Sequence, residues 1–210
     1  MEKFGFNVVT RKYCSSKKDL FVAISKVGGF PFVMKVSGKK IVHKNKLNGI
    51  RLGLNTFSNA LQEFDSLKKI KGAKGVMVQK QIPFQKEFLI GIKKTQDFGH
   101  VVIFGSGGTN VELKKDVAFR VCPVEKEEIK KMIKDTEISK GLLSEEGKEL
   151  EKVILKICSL VKKYPNISEL DINPLVISEG RAVVLDARIL FEWFCFLWII
   201  LRYFPARLPK

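Results

Sequence analysis

The stretch ELDINPLVI, residues 169–177, sets two carboxylates, an asparagine and a proline inside an otherwise apolar, strand-like run, and RAVVLDARI, residues 181–189, carries Asp186 near the end of a second. A turn at Glu179-Gly180 brings Asn173 opposite Asp186. Both side chains offer hard oxygen donors, of the kind Mg²⁺ takes one or two at a time while drawing its other ligands from water and phosphate. Nothing in these runs points to zinc. The same two residues also have a plain structural use, Asn173 as a turn before Pro174 and Asp186 as the end of a strand.

A second group of candidates lies earlier in the chain. Lys35 stands in the middle of PFVMKVSG, residues 31–38. A lysine there is costly to bury unless its ammonium meets an anion or reaches solvent along its stem. Gly38 and a lysine-rich loop holding His43 and Lys44 follow, and such a cationic turn can fold over a polyphosphate and offer it backbone N–H groups. An ordinary polar loop beside a solvent-facing strand lysine accounts for the same residues. Neither GxxxxGK[ST] nor GxGxxG is present. Gln79 ends an apolar strand, where its amide can meet an adenine edge or the nearby backbone. Glu87 opens the next strand and can hold a ribose hydroxyl or face water.

The elements that must position these residues can be read from periodicity. SSKKDLFVAISKVGG, residues 15–29, is an amphipathic helix with Leu20, Ala23, Ile24 and Val27 on one face, a serine cap and a Gly28-Gly29 stop. FVMKV, residues 32–36, is a strand after Pro31, and residues 49–56 alternate Ile50, Leu52 and Leu54 with polar or small partners, the period of a half-buried strand. Residues 58–70 form a second helix carrying Leu61, Phe64 and Leu67. Strands follow over residues 74–82, 87–94 and 100–108, and residues 110–121 continue that sheet. Of two later helices, the second runs from Ser144 to Lys163 with Leu150, Val153, Ile154, Ile157 and Val161 on one stripe. Residues 169–177 and 182–189 close as a hairpin. The pattern implies an α+β protein of two lobes, residues 1–72 and 73–189, joined near 71–75, with residues 190–210 as an apolar tail.

The chain has 210 residues, 45% of them hydrophobic, enough for a substantial core. Its 38 Lys+Arg against 22 Asp+Glu give a net charge of +16. That field attracts polyanions, but the lysines are spread over helix faces and turns. No arginine-rich arm, RNP-like aromatic motif or zinc-finger spacing makes nucleic acid the expected partner. Cysteines 14, 122, 158 and 195 form no CxxC and read as small buried apolar residues of a reducing cytoplasm. The N-terminus has no secretory pattern. The run WFCFLWIIL, residues 193–201, is short of the roughly 20 apolar residues that span a bilayer. It suits packing on the body, a partner contact or a weak membrane contact, and the expected location is the cytoplasm.

In order, GGFPFVMKVSG, IVHKNKLNGIRLGL, VMVQKQIPFQKEFLIG, DFGHVVIFGSGGTNVELKKDVAFRVCP, ISELDINPLVI and VVLDARI resemble the ATP-grasp β subunit of ADP-forming acyl-CoA synthetases over roughly residues 5–190. The resemblance implies an ATP-grasp fold that holds Mg-ADP or Mg-ATP between two lobes, with Mg²⁺ as cofactor. It also implies an acetyl-CoA or related acyl-CoA synthetase reaction, in which acyl-CoA, ADP and phosphate give acid, CoA and ATP. The alternatives are a succinyl-CoA synthetase-like subunit and a nucleotide-binding module without catalysis. The implied partner is an α subunit that binds CoA and carries a phosphohistidine, in a heterotetramer. Carried onto this chain, Lys35, Val42, His43, Lys44, Gln79 and Glu87 would hold nucleotide, and Asn173 and Asp186 the metal. His43 would relay the phosphoryl group, an imidazole nitrogen being a competent acceptor, or merely hydrogen-bond within its loop. Gly105, Gly107, Gly108 and Glu112, in FGSGGTNVE, would meet the partner or its phosphohistidine loop. After His43-Lys44 the family has an acidic residue and two glycines, whereas this chain reads NKLNG, and Asn48 puts the closure of the loop in question.

Overall fold

The structure, a computed structural model, describes residues 1–38, 41, 44, 47–108 and 115–192. Residues 193–210 of the apolar tail and the segment 109–114, with Glu112, lie outside the described residues, as do Val42 and His43, while Leu190 and Phe191, read as tail, belong to the last strand.

Two sheets carry the chain. The first has the order β1 (Arg11–Cys14), β4 (Gly75–Lys80), β2 (Phe32–Ser37), β3 (Ile50–Leu54), all antiparallel. Helices α1 (Lys17–Lys26) and α2 (Phe57–Lys68) join its strands. Ser16 and Asp19 make a capping box at the start of α1, and the Asn59 N–H donates to Thr56 Oγ1 at the start of α2. Leu20, Ala23 and Ile24 from α1 and Phe64 and Leu67 from α2 bury against Phe32, Met34, Val36, Val76 and Val78. Strand side chains alternate between faces, so Val33, Lys35 and Gln79 point away from the helices. They are buried all the same, because the second sheet closes over that face.

The second sheet runs β10 (Ala187–Phe191), β8 (Ile167–Ser178), β5 (Glu87–Thr95), β6 (Gly99–Ser106), β7 (Val117–Val121), with β9 (Arg181–Val184) also pairing β8. Helices α3 (Lys126–Lys134) and α4 (Ser144–Lys163) cover one face. Leu150, Ile154, Ile157 and Val161 of α4 bury as the stripe requires, against Ile90, Ile92, Val102 and Phe104. Residues 7–9 lie alongside β9, with Val184 N–H donating to Asn7 O and Val9 N–H to Val184 O, before the chain crosses to β1. A second crossing, from β4 to β5, spans residues 81–86. Val9, Ile82, Val176, Val183 and Leu185 pack together where the two crossings meet.

Three elements differ from the periodic reading. The strand at residues 75–80, read as the start of the second lobe, is an inner strand of the first sheet, bonded to β1 and β2; an apolar strand buried on both faces does not reveal its sheet. Leu52, read as inward-facing, is 71% exposed, because the β2–β3 register shifts between Phe32 and Met34 and Gly53 takes φ +65°. The stretch AVVLDARI is two strands with a break at Leu185-Asp186. No helix among the described residues is long and apolar enough to cross a membrane.

Candidate functional site

The break in the hairpin is what builds the site. The register is the one the Glu179-Gly180 turn requires, Ser178 opposite Arg181 and Leu175 opposite Val184, and Asn173 N–H donates to Asp186 O at 3.2 Å. Leu185 N–H donates to Pro174 O at 3.0 Å. A regular antiparallel pair would return that bond from residue 174 to Leu185 O, but proline has no N–H. The freed carbonyl instead accepts from Lys35 Nζ at 3.1 Å, across from the first sheet.

Lys35 is 8% exposed, and burial lowers its pKa to about 8 against the opposing pull of Asp186. Lys44 and Arg11 push it down further, and Glu87 pushes it up. Lys44 reaches the same place: its Nζ lies 2.5 Å from Asp186 Oδ2. The other carboxylate oxygen of Asp186 accepts from Ala187 N–H at 3.1 Å. Lys35, Lys44 and Asp186 therefore form one cluster across the two sheets.

Beside the cluster is a cavity of about 230 Å³ bounded by Val33, Lys35, Leu52, Gln79, Ile82, Phe84, Glu87, Pro174 and Leu185. Apolar side chains form its walls, and Gln79 and Glu87 bring polar atoms for which no side-chain hydrogen bond is found among the described residues. Small-molecule sites combine apolar walls with few polar groups in this way. Complete sites run to ~300–1,000 Å³, so this cavity is sized for part of a ligand. Leu52 is exposed because it faces this space.

Asn173 is placed differently from Asp186. Its Oδ1 accepts from Gly108 N–H at 2.8 Å, tying the hairpin to the glycine-rich turn after β6. Gly108 has φ +88°, and a Cβ there would stand 2.1 Å from Glu87 Oε2; one on Gly107 would stand 2.5 Å from the Phe88 backbone. The glycines thus permit close approach to this chain's own β5. A Cβ on Gly105 would likewise meet Asp116 O at 2.0 Å. A larger cavity of about 720 Å³ opens beside Gly107, Glu87 and Asp116.

Asp186 and Asn173 bring the chemistry a hard divalent cation uses, although Asn173 Oδ1 is held by Gly108 N–H. Both are hard oxygen donors joined through the backbone, and a cation, the Lys44 ammonium, already sits on Asp186 Oδ2. Two protein oxygens suit Mg²⁺, which keeps water and phosphate in its remaining positions. Among the described residues no cluster of three His, Cys, Asp or Glu offers a closed metal site.

Glu169 and Asp171 lie farther along β8. Glu169 Oε2 is 3.5 Å from Arg188 Nη2. Protein packing around the Asp171 carboxyl raises its pKa above the ordinary range, partly offset by Arg188, although the residue keeps contact with solvent. At the end of the segment after residue 38, Asn48 takes φ +48°, as asparagine readily does, and Gly49 N–H donates to Lys44 O at 2.7 Å. Leu185, Leu52, Ile82 and Arg11 escaped the sequence reading. Pro174 was the signal for the first, since a proline inside a strand leaves its partner's carbonyl free.

A family model described as an ATP-grasp domain matches residues 1–191. Acetate–CoA ligase (ADP-forming) II of Archaeoglobus fulgidus is 34% identical over 197 residues, 90% of this chain and 28% of that protein. The chain thus spans just over a quarter of that relative. The β subunit of acetate–CoA ligase (ADP-forming) I of Pyrococcus furiosus is 31% identical over 175 residues, 77% of this chain and 75% of the subunit. Among solved structures, the dinucleotide-forming acetyl-coenzyme A synthetase 1 of Ca. Korarchaeum cryptofilum, in complex with coenzyme A, Ca-AMPCP and HgCl⁺, superposes with a TM-score of 0.82 at 25% identity, over 91% of this chain and 89% of that one.

Proposed function

The chain belongs to the ATP-grasp family, and from that premise we propose that it is the nucleotide-binding β part of an ADP-forming acyl-CoA synthetase, with acetyl-CoA the leading substrate. The observation that carries this reading is the meeting of Lys35, Lys44 and Asp186 beside the cavity lined by Gln79 and Glu87. Gln79 takes the adenine edge and Glu87 the ribose. Lys35 and Lys44 take the phosphates, together with the backbone around Val42 and His43. Asp186 and Asn173 would hold Mg²⁺, which would supply charge neutralisation to the phosphate oxygens.

By sheet membership the lobes would be residues 11–80 and the remainder of the folded chain up to 192, linked at residue 10 and at 81–86. This divides the chain by sheet membership rather than at residue 72.

The reaction needs an α partner that binds CoA and presents a phosphohistidine. The bond between phosphorus and the partner's imidazole nitrogen breaks as a bond from phosphorus to the His43 imidazole nitrogen forms, and that bond breaks in turn as phosphorus bonds to a β-phosphate oxygen of ADP. His43 serves as relay near the phosphates, and the turn at Gly105, Gly107 and Gly108, with Glu112, receives the visiting loop. Which acid is activated rests with the partner.

Calorimetric titration of ADP into the full chain, with and without Mg²⁺ and beside Asp186→Asn, tests the reading. The wild type should bind in a Mg²⁺-dependent way, and the variant should lose on the order of 100-fold in affinity. Equal binding by both proteins, or binding indifferent to Mg²⁺, rejects the metal assignment.

A further inference from the structure

Away from the cleft, the sulfurs of Cys122 and Cys158 lie 3.1 Å apart. Cys122 follows β7 and Cys158 sits in α4, so two residues 36 positions apart converge in the core of the second sheet. A disulfide bond of about 2.05 Å requires the sulfurs to close by only about 1 Å. Cys158 is 8% exposed, while Cys122 is more accessible and opens the pair to small solutes.

The pair is also chemically uneven. Either sulfur can donate in this contact, and the balance of thiolate falls to Cys158: the hydrogen bond from Cys122 and one from the Val124 backbone lower its pKa, while the contact with Cys158 and burial raise that of Cys122. A sulfur biased toward thiolate beside a second thiol is the arrangement that turns an oxidation into a disulfide rather than an irreversible acid. Cys14 offers no competing partner: it lies in the other core, and its Sγ donates to Ser16 O at 2.9 Å. Cys195 lies outside the described residues.

We propose that Cys122 and Cys158 form a reversible disulfide on exposure to hydrogen peroxide, stapling the β7–α3 junction to α4. The Cys158 thiolate attacks one peroxide oxygen; an S–O bond forms, the O–O bond breaks, and the departing hydroxide takes a proton to become water. The Cys122 sulfur then attacks the Cys158 sulfenic sulfur; the S–S bond forms, the S–O bond breaks, and the hydroxyl leaves as water with the Cys122 proton. Two thiols lose two electrons and one peroxide becomes two waters. A dithiol reductant reverses the change.

The staple closes a loop containing all of α3 and so restricts the unfolded chain. Neither cysteine lines the cavity beside Lys35, so nucleotide binding should not change. This inference does not depend on the proposed function.

The full-length protein, treated with near-stoichiometric hydrogen peroxide, alkylated, and read by intact mass and peptide mapping, decides the matter. The expected product has lost two hydrogens, carries a peptide linking Cys122 to Cys158, reverts with dithiothreitol, and melts higher by about 5 °C or more. Cys122→Ser should show oxygen added at Cys158 and no rise in melting temperature. Oxygen addition without a linked peptide in the wild type would overturn the proposal, as would linkage through Cys14 or Cys195.

Discussion

From the first sheet the cleft receives Lys35, Lys44 and Gln79; from the second it receives Glu87, Asn173, Asp186 and the carbonyl of Leu185. One side is cationic, the other a set of oxygen donors. They satisfy each other directly, through Lys35 to Leu185 O and Lys44 to Asp186. Under the proposed function, that difference suits one cleft to a polyphosphate and a divalent cation together: each sheet brings charge complementary to one of the two. The crossings at residue 10 and at 81–86 and the small apolar cluster around Val9 and Ile82 hold the sides in register.

That comparison breaks most readily at Lys35. Lys35→Met keeps the length of the side chain and removes the charge, so nucleotide affinity should fall by roughly 50-fold, as expected for losing a desolvated charge-assisted contact. Stability should move the other way. The lysine is held near pKa 8 by burial, and relieving that burden raises unfolding stability at neutral pH by on the order of 2 kcal/mol. Calorimetry for binding and thermal melting for stability check the two signs. A variant that binds nucleotide as well as the wild type would remove Lys35 from the site.

A smaller effect sharpens the role of Lys44. Its ammonium occupies the Asp186 oxygen that a metal would take, so Lys44→Met should raise the affinity of the free protein for Mg²⁺ by roughly 3–10-fold, in keeping with a half-exposed ion pair. The same variant should bind nucleotide several-fold more weakly. Unchanged Mg²⁺ affinity would mean that the ion pair and the metal do not compete.

The smallest effect is a proton. Because the folded pKa of Lys35 lies below the ordinary lysine value, the unfolded chain holds the proton that the folded chain has released between about pH 8 and that value. Stability contributed by this group therefore rises with pH across the window. A bound polyphosphate favours the ammonium and should reverse the shift. At pH 8.5 ADP binding should take up roughly half a proton or more, read as a dependence of binding heat on buffer ionisation enthalpy. No uptake would mean that the phosphates do not reach Lys35.

Much of the arrangement was legible beforehand. The stripe of α4, the serine cap of α1 and the hairpin register about Glu179-Gly180 follow from local rules, and the folded chain obeys them. The pairing of Asn173 with Asp186 was accessible for the same reason. Less legible were the roles of individual glycines: beside the partner role the resemblance implies, those at 107 and 108 allow close packing on Glu87 and Phe88 of the same chain. Leu52 fitted an inward position by alternation and faces the cleft, because a register shift in a neighbouring pair reverses which face a side chain takes.

By itself the sequence determined which side chains carry charge, where helices start and stop, and which residues across one tight turn oppose one another, since these depend on neighbours a few positions apart. Only the tertiary structure decided that β4 belongs with the first sheet, that Lys35 ends on a carbonyl 150 positions away and that Cys122 meets Cys158. Contacts of that kind depend on how two separately formed layers close on each other. A buried strand with apolar residues on both faces fits either layer equally well until that closure is made.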